Sequence, residues 1–375
     1  MLKIGTDFSG IGAPETALKR LGIPCDLIFA CEIDKYARKS YKELHPTADI
    51  IYNDITTRDF SKVPSLDLYV AGFPCQSFSL AGKRLGFDDV RGSLFYNVAD
   101  FIKHNQPKVF ILENVKGLLS HDKGRTYQTI TDLLSNNGGT LNSQLTIDVF
   151  TDGLGYHVYT KVLNTKDYGI PQNRERIFIV GFKDFKNFNF PNPKPLNKKL
   201  KDVIEDKVND KYFLSKKMIN RCLTYDRARP FTNIEIKEIA NCITSNYSKQ
   251  SSDLEYIEVE TNNKRVNQNY KKHKHELEKG IFMDSYNQTI HKDISPTITS
   301  RISASNCYHI FEQHIVKNKN IRRLTPLECW RLQGFKDDEF YKAQKVNSDT
   351  QLYKQAGNTI TVDVLVEIFK KIYLK

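Results

Sequence analysis

The 375-residue sequence has no two cysteines in a C-x-x-C spacing. Its seven cysteines, at 25, 31, 75, 222, 242, 307 and 329, are odd in number, so neither a disulfide framework nor a four-cysteine zinc site is indicated. No run approaches the roughly eighteen apolar residues that a membrane span needs. Met1-Leu2-Lys3-Ile4-Gly5 leads straight into an apolar strand, leaving no room for the charged and apolar regions of a signal peptide. With a mean hydropathy of −0.50, these absences describe a soluble protein of the reducing cytoplasm. Acidic charge is the scarcer sign, with 44 Asp plus Glu against 56 Lys plus Arg. The net charge of +12 and pI near 9.1 suit a polyanionic partner such as nucleic acid, and also fit an ordinary basic protein. At this length one large domain with a smaller one is the expectation.

What is present reads as alternating strand and helix. Residues 2–6 form a strand, Gly10 and Gly12 a turn, and 13–21 a helix closed by Gly22. A second strand, 27–31, ends on Glu32, and a helix follows over 34–44. This alternation predicts a Rossmann-like α/β fold, a parallel sheet covered on both faces. Two further apolar runs, 159–163 and 177–182, predict a hairpin that completes the sheet.

The most informative stretch is Gly72-Phe73-Pro74-Cys75-Gln76-Ser77-Phe78-Ser79, directly after the apolar run 66–71. Pro74 fixes its own φ and holds Phe73 extended, so Cys75 is presented on a stiff backbone just past a strand. Ligands of open α/β sheets bind beyond those carboxyl ends. A lone cysteine is ordinarily a small buried apolar residue. Here, however, the apolar run 109–112 makes a strand that ends on Glu113-Asn114-Val115 and brings a carboxylate to the same sheet edge. Thiol and carboxylate together make a candidate catalytic pair. The Gly10-x-Gly12 turn lacks the third glycine of a dinucleotide fingerprint. It fits a ligand without a pyrophosphate, with the ribose hydroxyls held by the two acceptor oxygens of Glu32.

Several blocks recur in one order: Phe8-Ser9-Gly10-Ile11-Gly12, Glu32, Asp54-Ile55, Pro74-Cys75-Gln76, Glu113-Asn114-Val115, Gln172-Asn173-Arg174-Glu175-Arg176, Arg323-Leu324-Thr325-Pro326-Leu327-Glu328-Cys329 and Gly357-Asn358-Thr359. Over almost the whole chain this pattern resembles the DNA (cytosine-5) methyltransferases of bacterial and phage restriction-modification systems. The resemblance implies S-adenosylmethionine as methyl donor, duplex DNA as substrate and no metal. It makes Cys75 the nucleophile that adds to cytosine C6 and Glu113 the acid at ring N3. It gives Arg174 a contact with the cytosine O2 and Arg176 a part in fixing the site. Phe8 would pack on the adenine, Asp54 accept from its amino group and Glu32 bind the ribose. Gly10, Gly12, Ile33, Ile55, Pro74, Asn358 and Thr359 would complete that pocket. The loop carrying Ser79, Lys83, Arg84 and Arg91 would close over DNA. One departure is that the usual Asp-Leu-Phe reads Thr6-Asp7-Phe8 here; others are Ala13 after the second glycine and Asn53 before Asp54.

The implied organisation is a catalytic and cofactor-binding domain at 1–183, completed by 345–375, and a target-recognition domain at 184–344. Residues 184–320 are rich in Lys, Asn, Ser and Thr, with a basic run at 267–279. No role attaches to 135–157. A monomer in the cytoplasm of a bacterial or phage-infected cell is expected; a cognate restriction endonuclease encoded nearby and an orphan enzyme without one are both open. The blocks begin almost at residue 1, so no large regulatory domain is expected before them. An RNA cytosine methyltransferase would share the core blocks, though the long segment 184–320 favours duplex DNA. A zinc cytosine deaminase would need H-x-E and P-C-x-x-C, and the second cysteine is missing after Pro74-Cys75. A non-catalytic DNA-binding module is disfavoured by the presence of Cys75, Glu113, Arg174 and Arg176 together.

Overall fold

Seven strands form one sheet: β1 (Leu2–Asp7), β2 (Cys25–Cys31), β3 (Ile51–Tyr52), β4 (Leu68–Ala71), β5 (Val109–Val115), β6 (His157–Asn164) and β7 (Glu175–Phe182). Their spatial order is β3-β2-β1-β4-β5-β7-β6. The first five are parallel, and β7 runs antiparallel between β5 and β6. This computed structural model describes residues 1–48, 50–74, 94–135, 153–213, 242–243, 256–260, 281–284, 289–292 and 319–374, with backbone alone at 256–260, 281–284, 289–292 and 319–321.

Helices cover both faces, as the strand–helix alternation predicts. α1 (Ala13–Arg20) and α2 (Lys35–Leu44) follow β1 and β2, and α3 (Leu94–Asn105) and α4 (Arg125–Leu134) flank β5. Near the C-terminus lie α5 (Pro326–Arg331), α6 (Asp337–Gln344), α7 (Asp349–Asn358) and α8 (Val362–Tyr373). The β5 side chains alternate between two buried clusters, as a pleated strand requires. Val109 and Ile111 join α1, α5 and α8, whereas Phe110 and Leu112 join α3 and α4.

Local sequence explains the helix starts. Asp34 accepts from the N–H groups of Tyr36 and Ala37, a side-chain cap for α2. Thr325 and Glu328 form a reciprocal capping box that starts α5, with Pro326 in its first turn. α1 begins after Gly12, whose φ of +83° is left-handed and where a Cβ would lie 2.1 Å from His45 Nε2.

As the sequence indicates, β5 ends on Glu113-Asn114-Val115, three residues beyond Leu112, the partner of β4's last residue, Ala71. Glu113 therefore lies within a strand, held opposite Phe178 of β7, which is a stiffer mount than a loop. Moreover, Phe188, Leu200, Val203 and Tyr212, and then Leu324, Leu327, Trp330, Phe335 and Phe340, share one buried cluster with Ile4, Leu68 and Ile111. Both ends of segment 184–344 thus pack into the core that carries the sheet. Trp330 is fully buried and donates to the Leu352 carbonyl at 3.0 Å, tying α5 to α7. Two antiparallel pairs lie between those ends, β8 (Tyr256–Glu260) with β11 (Lys319–Arg323), and β9 (Ile281–Asp284) with β10 (Thr289–Lys292).

Candidate active site

The carboxyl ends of β4 and β5 meet the start of β7 at one place. Glu113 continues the Val109–Ile111 face of β5, and Arg176 stands on the same face of β7, diagonal to it across the Glu113–Phe178 pair. Arg176 Nε lies 3.1 Å from Glu113 Oε1, and the two side chains are only 19% and 11% exposed. Burial raises the Glu113 pKa, opposed by the charges of Arg176 and Arg174. The other oxygen, Oε2, faces Gly72, where a Cβ would approach to 3.4 Å. Gly72 thus leaves the space beside the carboxyl clear.

Asn114 fastens this carboxyl to the thiol-bearing loop. Its Nδ2 donates to the Phe73 carbonyl at 2.9 Å, while its Oδ1 accepts from the Val115 N–H at 2.7 Å. The backbone entering Pro74-Cys75 is therefore tied to the residue after Glu113. Cys75 itself, with Ser79, Lys83, Arg84 and Arg91, lies outside the described residues.

Arg174 is 3% exposed; its four terminal N–H groups are committed within the protein, and its Nε finds no partner among the described residues. Nη2 donates to the carbonyls of Gly357 (3.1 Å) and Thr359 (2.9 Å), and Nη1 to the Ile243 carbonyl (2.8 Å) and Cys242 Sγ (3.4 Å). A guanidinium so used has no terminal donor left for a base. Arg176 donates from Nη1 to the Glu175 carbonyl (2.8 Å) and from Nη2 to Cys242 Sγ (3.7 Å), while its Nε stands against Glu113. Arg174 is thus tied to the backbone around it, and Arg176 faces Glu113. Gln172 shares the holding role. Fully buried, it donates to the Leu332 carbonyl at 2.6 Å and accepts from the Ile243 N–H at 3.0 Å. Asn114 and Gln172 stand inside recognisable sequence blocks, but nothing in their spacing discloses these partners.

The other expected residues cluster at the carboxyl ends of β1, β2 and β3. Phe8 adopts φ 54°, and the Ser9 hydroxyl accepts from the Cys31 N–H at 2.9 Å, locking the turn onto β2. Glu32 accepts from the Gly10 N–H (2.9 Å) and the Asp34 N–H (2.8 Å) through different oxygens. Each oxygen keeps acceptor capacity for a further donor. Burial raises the Glu32 pKa, and the two amides oppose the shift. Ile33 is 72% exposed, an apolar side chain beside an acidic one. Asp54 Oδ1 accepts from the Thr56 N–H and hydroxyl, each at 2.8 Å, and Ile55 is buried. Pro74 is half-buried, Thr359 is buried, and Asn358 ends α7 exposed. α7 itself is pinned to the start of α2 by Lys354 Nζ, 2.6 Å from Asp34 Oδ2. Two carboxylates, an apolar patch and a glycine turn fit a cationic adenosine derivative. A pyrophosphate would instead meet Glu32.

Among the described residues no His, Cys, Asp and Glu group could hold a metal ion, and no helix is long and apolar enough to cross a membrane. A seven-stranded α/β sheet with an antiparallel β7, a glycine turn after β1 and a carboxyl near the end of β5 paired with arginine is the architecture of a Rossmann-like methyltransferase. The chain belongs to the C-5 cytosine-specific DNA methylases, whose family model it matches over residues 3–374. It is 31% identical to orphan methyltransferase M.SPRI of Bacillus phage SPR, covering 99% of this chain and 97% of that one. It is 33% identical to type II methyltransferase M.Bsp6I of Bacillus sp. (strain RFL6), over 100% and 99% of the two chains. M.HpaII of Haemophilus parainfluenzae is 35% identical, over 98% and 88%. The S. pombe Dnmt2 methyltransferase structure superposes with a TM-score of 0.64 at 16% identity, over 99% of this chain and 97% of that one, a likeness of fold.

Proposed function

We propose that this enzyme methylates C5 of a cytosine flipped out of a specific duplex DNA sequence, with S-adenosylmethionine as donor and a covalent bond between Cys75 and C6. The observation that carries this reading is the Glu113–Arg176 pair, tied through Asn114 to the backbone that leads into Cys75.

Cytosine C5 is a poor nucleophile until the ring is activated, and addition of the Cys75 thiolate at C6 supplies that activation. Glu113, whose pKa burial raises, gives a hydrogen bond or proton to N3 in its protonated form as electrons move onto it. N3 and O2 are adjacent on the ring, so the guanidinium beside Glu113, that of Arg176, is placed to donate to O2. The bound donor supplies a sulfonium methyl as electrophile. C5 takes the methyl as the S–CH3 bond breaks and leaves a neutral thioether; the C5 proton then passes to a base or water, and Cys75 leaves as thiolate to restore the aromatic ring. The target must leave the duplex first, at about a few kcal/mol of stacking and pairing.

Phe8, Gly10, Gly12, Glu32, Ile33, Asp54, Ile55, Pro74, Asn358 and Thr359 form the proposed donor site, and Ser79, Lys83, Arg84 and Arg91 contact DNA. Target recognition is assigned to the middle of segment 184–344, because its described ends pack into the core. The enzyme acts as a monomer in the cytoplasm of a bacterial or phage-infected cell. Bisulfite sequencing of DNA from cells expressing the chain tests the reading: 5-methylcytosine at one recurring sequence is expected. DNA unchanged from the parent cells would overturn it.

A further inference from the structure

Asp7 is a carboxylate where the family pattern has leucine, and it is buried at the end of β1. Arg58 Nη1 donates to its Oδ1, and the Tyr69 hydroxyl donates to its Oδ2 at 2.5 Å. The Asp7 and Arg58 side chains are both 0% exposed. The Arg58 guanidinium carbon lies 4.6 Å from the rings of both Phe29 and Phe101, and 5.9 Å from that of Tyr52. Its Nε and Nη2 find no hydrogen-bond partner among the described residues.

Stability is a poor explanation for this group. Taking two charges out of water is costly, and a well-packed apolar pair of similar volume often serves as well or better. What the pair fixes is position. Asp7 immediately precedes Phe8, whose φ of 54° needs a firm anchor. Arg58 closes the turn that opens at Asp54, where Asp54 Oδ1 accepts from Thr56. The strand before that turn, β3, is only two residues long and pairs only with Ala30 and Cys31. The Asp7–Arg58 bond is therefore a clamp between the turn carrying Phe8 and the turn carrying Asp54.

We propose that Asp7, Arg58 and Tyr69 are positioning residues that set the spacing between Phe8 and Asp54, and thereby the affinity for the adenosine part of the methyl donor. The proposal rests on the donor-site reading above. It makes a departure from the family pattern the device that tunes cofactor binding in this chain.

Titration calorimetry of S-adenosylmethionine into the full-length protein tests it, with Asp7→Leu/Arg58→Met as a shape-preserving apolar replacement and Tyr69→Phe as the mild variant. The double variant is expected to weaken donor binding by about 10- to 100-fold and Tyr69→Phe by roughly threefold, as misplacement of a preorganised site does. Its unfolding temperature and its affinity for DNA without donor should stay near the parent's. KM for the donor should rise with kcat little changed. Donor affinity equal to the parent's in Tyr69→Phe and in a folded double variant would overturn the proposal while leaving the donor site standing. If the parent fails to bind the donor, or Glu32→Ala binds it as well as the parent, the donor-site reading falls and the proposal with it.

Discussion

Glu113 Oε1 and Arg176 Nε lie 3.1 Å apart, although 62 residues of chain separate strand β5 from the start of β7 at this point. Neighbouring antiparallel strands make that contact, and the antiparallel insertion of β7 beside β5 is what places a cation against the carboxyl.

Glu113→Gln is expected to lower turnover by roughly 10²–10⁴-fold with DNA affinity nearly unchanged, as loss of a general acid does. Stability gives an independent readout. Burial raises the folded pKa above the ordinary 4.5, so the folded state holds this proton more tightly than the unfolded state. The carboxyl's contribution is complete below about 4.5 and is lost as pH rises through the raised value. The unfolding temperature of Glu113→Gln relative to the parent should therefore climb between those pH values. A constant difference across that window would remove the buried carboxyl from the argument.

The two arginines should separate by kind of damage. Arg174→Ala leaves the buried carbonyls of Ile243, Gly357 and Thr359 without a donor, and should destabilise the protein by about 3–5 kcal/mol. Arg176→Lys should fold normally and lose roughly 10²-fold in kcat, as removal of one oriented donor does. Urea unfolding and steady-state kinetics on the same two variants decide it, and the opposite pattern would restore Arg174 to the base.

DNA carrying 5-fluorocytosine at the target should trap the enzyme in a denaturation-resistant adduct, since no C5 proton remains to be lost. Formation should require S-adenosylmethionine, and peptide mapping should place the nucleotide on Cys75. Cys75→Ser should form none, because a hydroxyl ionises far less readily than a thiol of pKa roughly 8.5. An adduct on Cys242, the thiol beside both arginines, would reassign the nucleophile.

Log affinity for duplex DNA should fall linearly with log salt, with a slope near −0.9 for each phosphate neutralised. Titrations by fluorescence anisotropy across a salt series measure it. A flat response would mean that the net +12 does not serve DNA.

Transplanting residues 244–318 from a relative should carry that relative's sequence preference, because Ile243 stays docked on Gln172 and Arg174. Transplanting 184–344 should give poorly folded protein, since Phe188 and Trp330 would leave the common core. An active 244–318 chimaera with unchanged preference would move recognition elsewhere, to the loop at 82–91 first.

The sequence by itself determined the order of strands and helices, because period and punctuation are local. Gly12, Asp34 and the Thr325–Glu328 box mark helix starts within a few residues of themselves. It also pointed to Glu32 and Glu113 as carboxyls at strand ends. Only the tertiary structure decided what those groups touch. Arg174 and Arg176 are indistinguishable as a spacing of two, but one finds carbonyls from residues 243, 357 and 359 and the other finds a carboxyl. Asp7 looked like a departure from a pattern until Arg58 and Tyr69 closed around it. The ends of 184–344 looked like part of a polar recognition segment, yet their scattered apolar residues joined the main core. A long-range polar contact leaves no periodic mark on a sequence. Its partner is set by which strands pair and which residues burial leaves with a single donor or acceptor in reach.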